Sequence, residues 1–169
     1  MDLAILTSQF LGWAQPIAAS FGYFGILLIS FIASASIFLP IPAFILVFAF
    51  GAVLNPLLVG LFAGIGCALG ELTGYGLGRG GIKFIEKRYK NFLKKYKKWF
   101  KGKKFFYVIV LFAATPLPSD VVGIVGGMFK YEIKRFLIAS FFGKFIMNTT
   151  IALGGYYGIK LFLTIFGGS

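Results

Sequence analysis

Apolar residues run along this chain in stretches of 15 to 25, and what divides them is prolines and glycines more than polar residues. A helix needs about 20 apolar residues to cross a bilayer. The pattern therefore predicts membrane helices. Residues 1–20 carry Trp13 and Pro16 and read as an interfacial segment. Residues 21–38 are apolar, and "FLPIP" (Phe38–Pro42) breaks them, because proline lacks an N–H and clashes with the preceding turn. A short apolar arm, 43–53, runs to a second break at "LNP" (Leu54–Pro56). Residues 56–79 are long enough to cross. Their glycines at 60, 64, 66, 70, 74, 76 and 78 share helix faces and permit close helix–helix approach.

The second half repeats this order. Residues 105–115 form a short arm, "TPLPSD" (Thr115–Asp120) breaks it, and 120–129 form another. Each arm is about 15 Å long as a helix, half a bilayer. Lys130, Lys134 and Arg135 follow at once, so these arms read as a re-entrant hairpin that enters from the cytoplasm and returns to it. Residues 133–157 then cross, and 158–169 are a tail too short for another span.

A shift of 76 residues aligns the halves. Pro40 meets Pro116, Pro42 meets Pro118, Gly51 meets Gly127 and Thr73 meets Thr149. Broken helices at matching positions of two halves are the best sequence pointer to a transporter site. The expected fold is an all-α polytopic membrane protein of one domain. Two inverted repeats, 21–79 and 105–157, each hold a re-entrant helical hairpin and a transmembrane helix. Pro40, Pro42, Pro116, Pro118, Gly51 and Gly127 mark the hairpin breaks. Tips that meet near mid-membrane require a protein-lined or watery surrounding.

Charge fixes the orientation. Residues 1–78 contain no Lys or Arg, whereas 79–104 contain twelve, against Glu86 alone. The positive-inside rule places residues 80–104 in the cytoplasm. Within them Ile85, Tyr89, Phe92, Tyr96 and Trp99 repeat at helical spacing, with lysines opposite. The segment reads as an amphipathic helix on an anionic leaflet. Basic and aromatic residues also suit nucleic acid, but spans on both sides argue against it. The plasma membrane is the expected location.

Composition narrows the chemistry. The chain is 59% hydrophobic and 13% charged, has no histidine and has one cysteine, Cys67. No internal disulfide can form, no metal constellation is present, and no nucleophile–base pair or phosphate loop is evident. No cofactor and no enzymatic activity are expected. "GYGLGRGG" has nucleotide-loop spacing, but it follows a membrane span and not a strand.

"LGELTGYGLGRGG" (Leu69–Gly81) resembles the G-[DE]-x-x-G-Y-x-x-G-R-x-x-G signature of DedA-like, VTT-domain (SNARE-associated Golgi protein) membrane proteins. "FLPIP…GAVLNP" and "TPLPSDVVGIVGG…RFLIASFFGK" resemble that family's two hairpins, and the resemblance covers residues 30–157. It implies facing re-entrant hairpins and movement of lipids between leaflets, with phospholipid scramblases and polyprenyl-phosphate translocases among its members. Some bacterial members are linked to proton-dependent transport. Many members carry an acid just after the first hairpin's proline, where Ala43 and Phe44 stand here. Many carry an Arg before the second hairpin's first proline, where Ala113, Ala114 and Thr115 stand.

Ionisable residues inside a membrane are costly and mark function by default. Glu71 lies roughly 12 Å and Lys144 roughly 16 Å from the cytoplasmic ends of their helices. Asp120 sits at a hairpin tip near the same level. Glu71 is a pathway residue, or the structural partner of Lys144 or Arg79. Asp120 either caps the second arm's helix with Ser119 or belongs to the site. Its helix N-terminus can attract a phosphate headgroup. Asn148 lies one turn beyond Lys144 and extends a polar path or ties helices together. Tyr75 is an interfacial anchor or a pathway residue, and Arg79 marks the membrane edge or joins the path.

These residues predict a translocator of phosphate-bearing lipids, with anionic or polyprenyl-phosphate lipids as its partners. The alternatives are a proton- or ion-coupled transporter of a small solute and a membrane scaffold that works through the basic helix.

Overall fold

A computed structural model describes residues 20–36, 43–81, 102–115 and 119–166. Among these residues every regular element is a helix. The elements are α1 (Ser20–Ala35), α2 (Ala43–Val53), α3 (Pro56–Gly70), α4 (residues 72–81), α5 (Lys103–Ala114), α6 (Ser119–Met128) and α7 (Ile133–Phe166). Two helical stretches are long and apolar enough to cross a membrane, Pro56–Gly81 and Ile133–Gly158. The interfacial segment, the amphipathic basic helix and the breaks holding Pro40, Pro42, Pro116 and Pro118 lie outside the described residues.

Local chemistry sets the ends. Asn55 caps α3: its side-chain oxygen accepts from the backbone N–H groups of Leu57 (3.0 Å) and Leu58 (3.4 Å), and Pro56 takes the first helical position. The Asn55 backbone N–H donates to the Tyr23 hydroxyl, which ties this start to α1. α3 passes into α4 through a turn at Glu71. The bonds Glu71 N–H to Cys67 (3.0 Å) and Tyr75 N–H to Glu71 (3.1 Å) keep the helical pattern across it.

α6 ends by reversal. Lys130 adopts a left-handed φ of 54°, its N–H donates to Gly127 O, and the Tyr131 N–H donates to Gly126 O. Such a paired closure satisfies the last carbonyls of a helix. Two residues later α7 starts, and it continues unbroken to Phe166. Residues 158–166 are therefore a helical extension of the second span and not a separate tail. No proline stands between 133 and 166 to stop it, and Gly158 alone does not.

α7 packs against α2, α3 and α5. Two apolar clusters result. One joins Ile26, Val47, Phe50, Val59, Ala63 and Ala152. The other joins Tyr75, Phe105, Ile109, Val122, Tyr131, Phe136 and Ala139. The outer faces remain apolar, with Phe24, Leu57, Leu77, Leu111, Ile138, Ile146 and Leu161 exposed. So much exposed apolar surface on helices of spanning length suits lipid as the solvent.

Candidate functional site

The two long apolar stretches run antiparallel and meet where side chains are smallest. Gly60 faces Thr149 and Gly64 faces Phe145, and a Cβ on Gly64 would stand 3.0 Å from the Phe145 Cα. That approach brings two polar stripes together. Cys67, Glu71, Tyr75 and Arg79 recur every four residues along α3 and α4, and Ser140, Lys144 and Asn148 recur every four along α7. Residues four apart share a helix face.

The stripes meet as a seam. Asn148 Nδ2 lies 3.9 Å from Cys67 Sγ and donates to the Lys144 carbonyl at 2.8 Å. One turn on, Lys144 Nζ lies 3.2 Å from Glu71 Oε1. The Glu71 side chain is 2% exposed and that of Lys144 13%. From α1, Ser34 donates to the Cys67 carbonyl at 2.9 Å, and Ser30 is buried. Further along, the Tyr75 hydroxyl donates to the Tyr131 carbonyl, and Arg79 Nη1 donates to that hydroxyl at 3.4 Å. The Glu71–Lys144 level lies between the two apolar clusters in chain order. Val59 and Ala63 precede it on α3, and Tyr75 follows it on α4.

Electrostatics make this level costly and therefore informative. Each charge removed from water is expensive, and only a close partner offsets it. Glu71 Oε1 is near enough to Lys144 for an ion pair, yet it has no hydrogen bond of good geometry among the described residues. Ser140 Oγ and Thr149 Oγ1, also on the seam, are buried without such a bond. The centre is thus polar, closely packed and incompletely satisfied.

Several sequence-predicted residues meet here. Glu71, Lys144 and Asn148 form the centre, and Lys144, not Arg79, is the ion-pair partner of Glu71. Tyr75 is buried at 3% exposure and does not stand as an interfacial anchor. Its ring packs against Phe136 at 5.1 Å, because the small residues of α6 let that helix close over α4. Arg79 lies on the Tyr75 hydroxyl at the end of the stripe. Asp120 falls in the first turn of α6, and its side chain lies outside the described residues.

The paired glycines have reciprocal neighbours. A Cβ on Gly51 would strike the backbone of Ala152 in the second span, and one on Gly127 would strike the Tyr75 carbonyl in the first. Cys67, Ser30, Ser34 and Ser140 did not stand out as single residues. Their signal was the four-residue spacing from Glu71 and Lys144, for all but the two serines of α1.

A second polar group stands at the α6–α7 turn. Lys130, Tyr131, Glu132 and Arg135 line a cavity of about 230 Å³. Arg135 Nε pairs with Glu132 Oε2 at 2.7 Å, but both side chains are half exposed, where such pairs contribute little. Burial pushes the Tyr131 phenol above its usual pKa, and Arg135 opposes the shift. Among the described residues no cluster could hold a metal ion.

Comparison with known proteins fits this architecture. The VTT domain matches residues 41–157, which hold both polar stripes of the long helices. An uncharacterized protein of Methanocaldococcus jannaschii is 33% identical over 141 residues, covering 79% of this chain and 83% of that protein. No solved structure matches. The match spans both long apolar helices and the buried pair between them, and the chain belongs to the VTT domain, or DedA, family of membrane-associated proteins.

Proposed function

We propose that this protein translocates lipids between leaflets. A phosphate-bearing headgroup moves along the seam while its hydrocarbon tails stay in the bilayer. The observation that carries the reading is the buried Glu71–Lys144 pair, flanked by Asn148 and Cys67, between two helices of spanning length. Charges are retained inside a membrane where a polar cargo must pass. Ser140 and Thr149 add buried hydroxyls without a hydrogen-bond partner among the described residues, which can serve a passing headgroup.

The same reading includes inverted repeats with re-entrant hairpins, residues 80–104 on the cytoplasmic face, and a plasma-membrane location. Reciprocal packing supports the repeats. α2 meets the second span at Gly51–Ala152 and Gly155–Phe48, and α6 meets the first at Gly127–Tyr75 and Gly78–Ile124. A 76-residue shift takes Gly51 to Gly127 and Phe48 to Ile124. Asp120, at the start of α6, and Arg79 extend the pathway at its two sides.

The test is a leaflet-exchange assay. Purified protein in sealed vesicles exposes tail-labelled phospholipid to a membrane-impermeant quencher. Quenching that proceeds beyond the outer-leaflet fraction, and slows in Lys144→Met, is the expected result. Quenching that stops at the outer leaflet overturns the proposal.

A further inference from the structure

Tyr131, in the turn between α6 and α7, has a polar group that the seam does not use. The residue is 3% exposed, and its hydroxyl oxygen is buried with no hydrogen-bond partner among the described residues. A buried hydroxyl left without a partner is destabilising, so its presence calls for an explanation. The residue is also held in place. Its N–H donates to the Gly126 carbonyl at 2.9 Å, and its own carbonyl accepts from the Tyr75 hydroxyl. Its ring stands edge-on to Phe105, with centroids 5.2 Å apart. Backbone and ring are thus both fixed, and the hydroxyl with them.

Tyr131 borders the cavity of about 230 Å³ that Lys130, Glu132 and Arg135 also line. The charges of Arg135 and Glu132 both act on its phenol. Burial raises the pKa of that phenol, so at neutral pH it keeps its proton and is a donor. At about 30 Å³ per water, the cavity has room for a tetrahedral oxyanion and several waters.

Charge around the turn runs against the usual preference of helix ends. A helix N-terminus has unpaired N–H groups and the positive end of the dipole, and it favours acids. α7 has no acid in its first turn and carries Lys134 and Arg135 there. α5 has none either: it begins with Lys103 and Lys104, and its N-cap is Gly102, which has no side chain to cap it. Phe105 brings that start against Tyr131. Glu132 is the opposing acid, and Arg135 Nε already holds it at 2.7 Å. Three cations, Lys130, Lys134 and Arg135, stand against this one carboxylate. The positive-inside rule accounts for cations at a cytoplasmic turn. It does not account for an unpartnered donor buried beside them. An anion at a helix N-terminus answers both the donor and the crowded cations.

We propose that the α6–α7 turn is a binding site for a phosphate-class oxyanion, separate from the Glu71–Lys144 level. The Tyr131 hydroxyl, Lys130 and Arg135 donate to its oxygens, and the start of α7 supplies its positive end. A free phosphate ion and the headgroup of a phosphate-monoester lipid in the adjacent leaflet present the same oxygens to it. The site does not depend on lipid translocation.

The experiment melts the intact protein in two arms. In detergent, rising inorganic phosphate is compared with chloride at equal ionic strength. In bilayer discs, a phosphate-monoester lipid is compared with phosphoglycerol lipid at matched charge. A saturable rise in Tm in the first arm identifies the free ion as ligand, and one in the second identifies the lipid. Tyr131→Phe keeps the ring, the N–H and the carbonyl and removes only the hydroxyl. It should melt no lower than the parent without phosphate, and its binding should be weaker by about tenfold. Arg135 is half exposed, so Arg135→Gln tests the site even where Tyr131→Phe melts early, and it should weaken binding as well. No rise beyond the matched control in either arm, or a rise that either variant leaves intact, overturns the inference. Leaflet exchange is read in a separate assay, so failure here leaves the translocation reading standing.

Discussion

Lys144 and Glu71 face each other across two antiparallel helices, with the ammonium 3.2 Å from a carboxylate that is 2% exposed. Each helix supplies one charge. The contact therefore does two things. It fixes the register of the first long helix against the second, and it keeps a polar centre in an apolar body. A buried pair is weak evidence for net stability, because desolvation consumes much of the attraction. The translocation proposal gives the pair a reason beyond stability, in what its charges do for a passing headgroup.

Removing one partner should cost far more than removing both. Lys144→Met strands a buried carboxylate, and a loss of about 3–5 kcal/mol is the usual scale for that. Glu71→Gln with Lys144→Met leaves no charge to strand and should recover most of the loss. Thermal unfolding of purified protein in detergent, followed by circular dichroism, reads both. If the single variant melts with the parent protein, the pair does not hold the helices together.

Much of this arrangement is legible in the sequence, for a physical reason. Membrane helices must be long and apolar, so 56–79 and 133–157 announce themselves against Pro56–Gly81 and Ile133–Gly158. Charges inside such runs are rare, so Glu71 and Lys144 stand out singly. The face each residue takes is harder to read. Tyr75 reads as an interfacial anchor, because tyrosine favours that level, or as a pathway residue. Its burial depends on α6 lying over α4, and that is a tertiary contact which no local pattern encodes. Ser30 and Ser34 reach the seam only because α1 packs there, and Cys67 sits in it because four residues separate it from Glu71. The extension of α7 to Phe166 follows from the lack of a helix breaker, which the length of a bilayer had obscured.

The reciprocal glycines should be intolerant of even one methyl group. A Cβ on Gly127 meets the Tyr75 carbonyl, and one on Gly51 meets Ala152, backbone atoms that cannot swing aside. Overpacking of this kind costs about 1–3 kcal/mol. Gly76, with nothing within 4 Å of its built Cβ, is the control. Gly76→Ala should be neutral, or favourable by up to about 1 kcal/mol from helix propensity. Parallel melting curves of Gly51→Ala, Gly127→Ala and Gly76→Ala separate the two classes. Equal melting of all three would mean that α2 and α6 do not seat on the long helices as described.

The proposed inversion of the two halves makes a topological prediction. Gly81 and Tyr157 occupy equivalent positions under the 76-residue shift; Gly81 ends the first long apolar stretch, and Tyr157 is the last residue but one of the second. In parallel repeats, equivalent positions lie on the same side of the membrane. In inverted repeats they lie on opposite sides. Nothing stands within 4 Å of a Cβ built on Gly81, and Tyr157 is 61% exposed, so a cysteine fits at either place. With Cys67 replaced by alanine, Gly81→Cys and Tyr157→Cys are labelled in intact cells with a membrane-impermeant maleimide, before and after permeabilisation. Tyr157→Cys should react in intact cells and Gly81→Cys only once the membrane is opened, because the positive-inside rule expects an end that carries twelve basic residues from Arg79 to Lys104 to face the cytoplasm. Reaction of both cysteines from one side rules out the inversion, and with it the proposed facing hairpins and the headgroup path at mid-membrane.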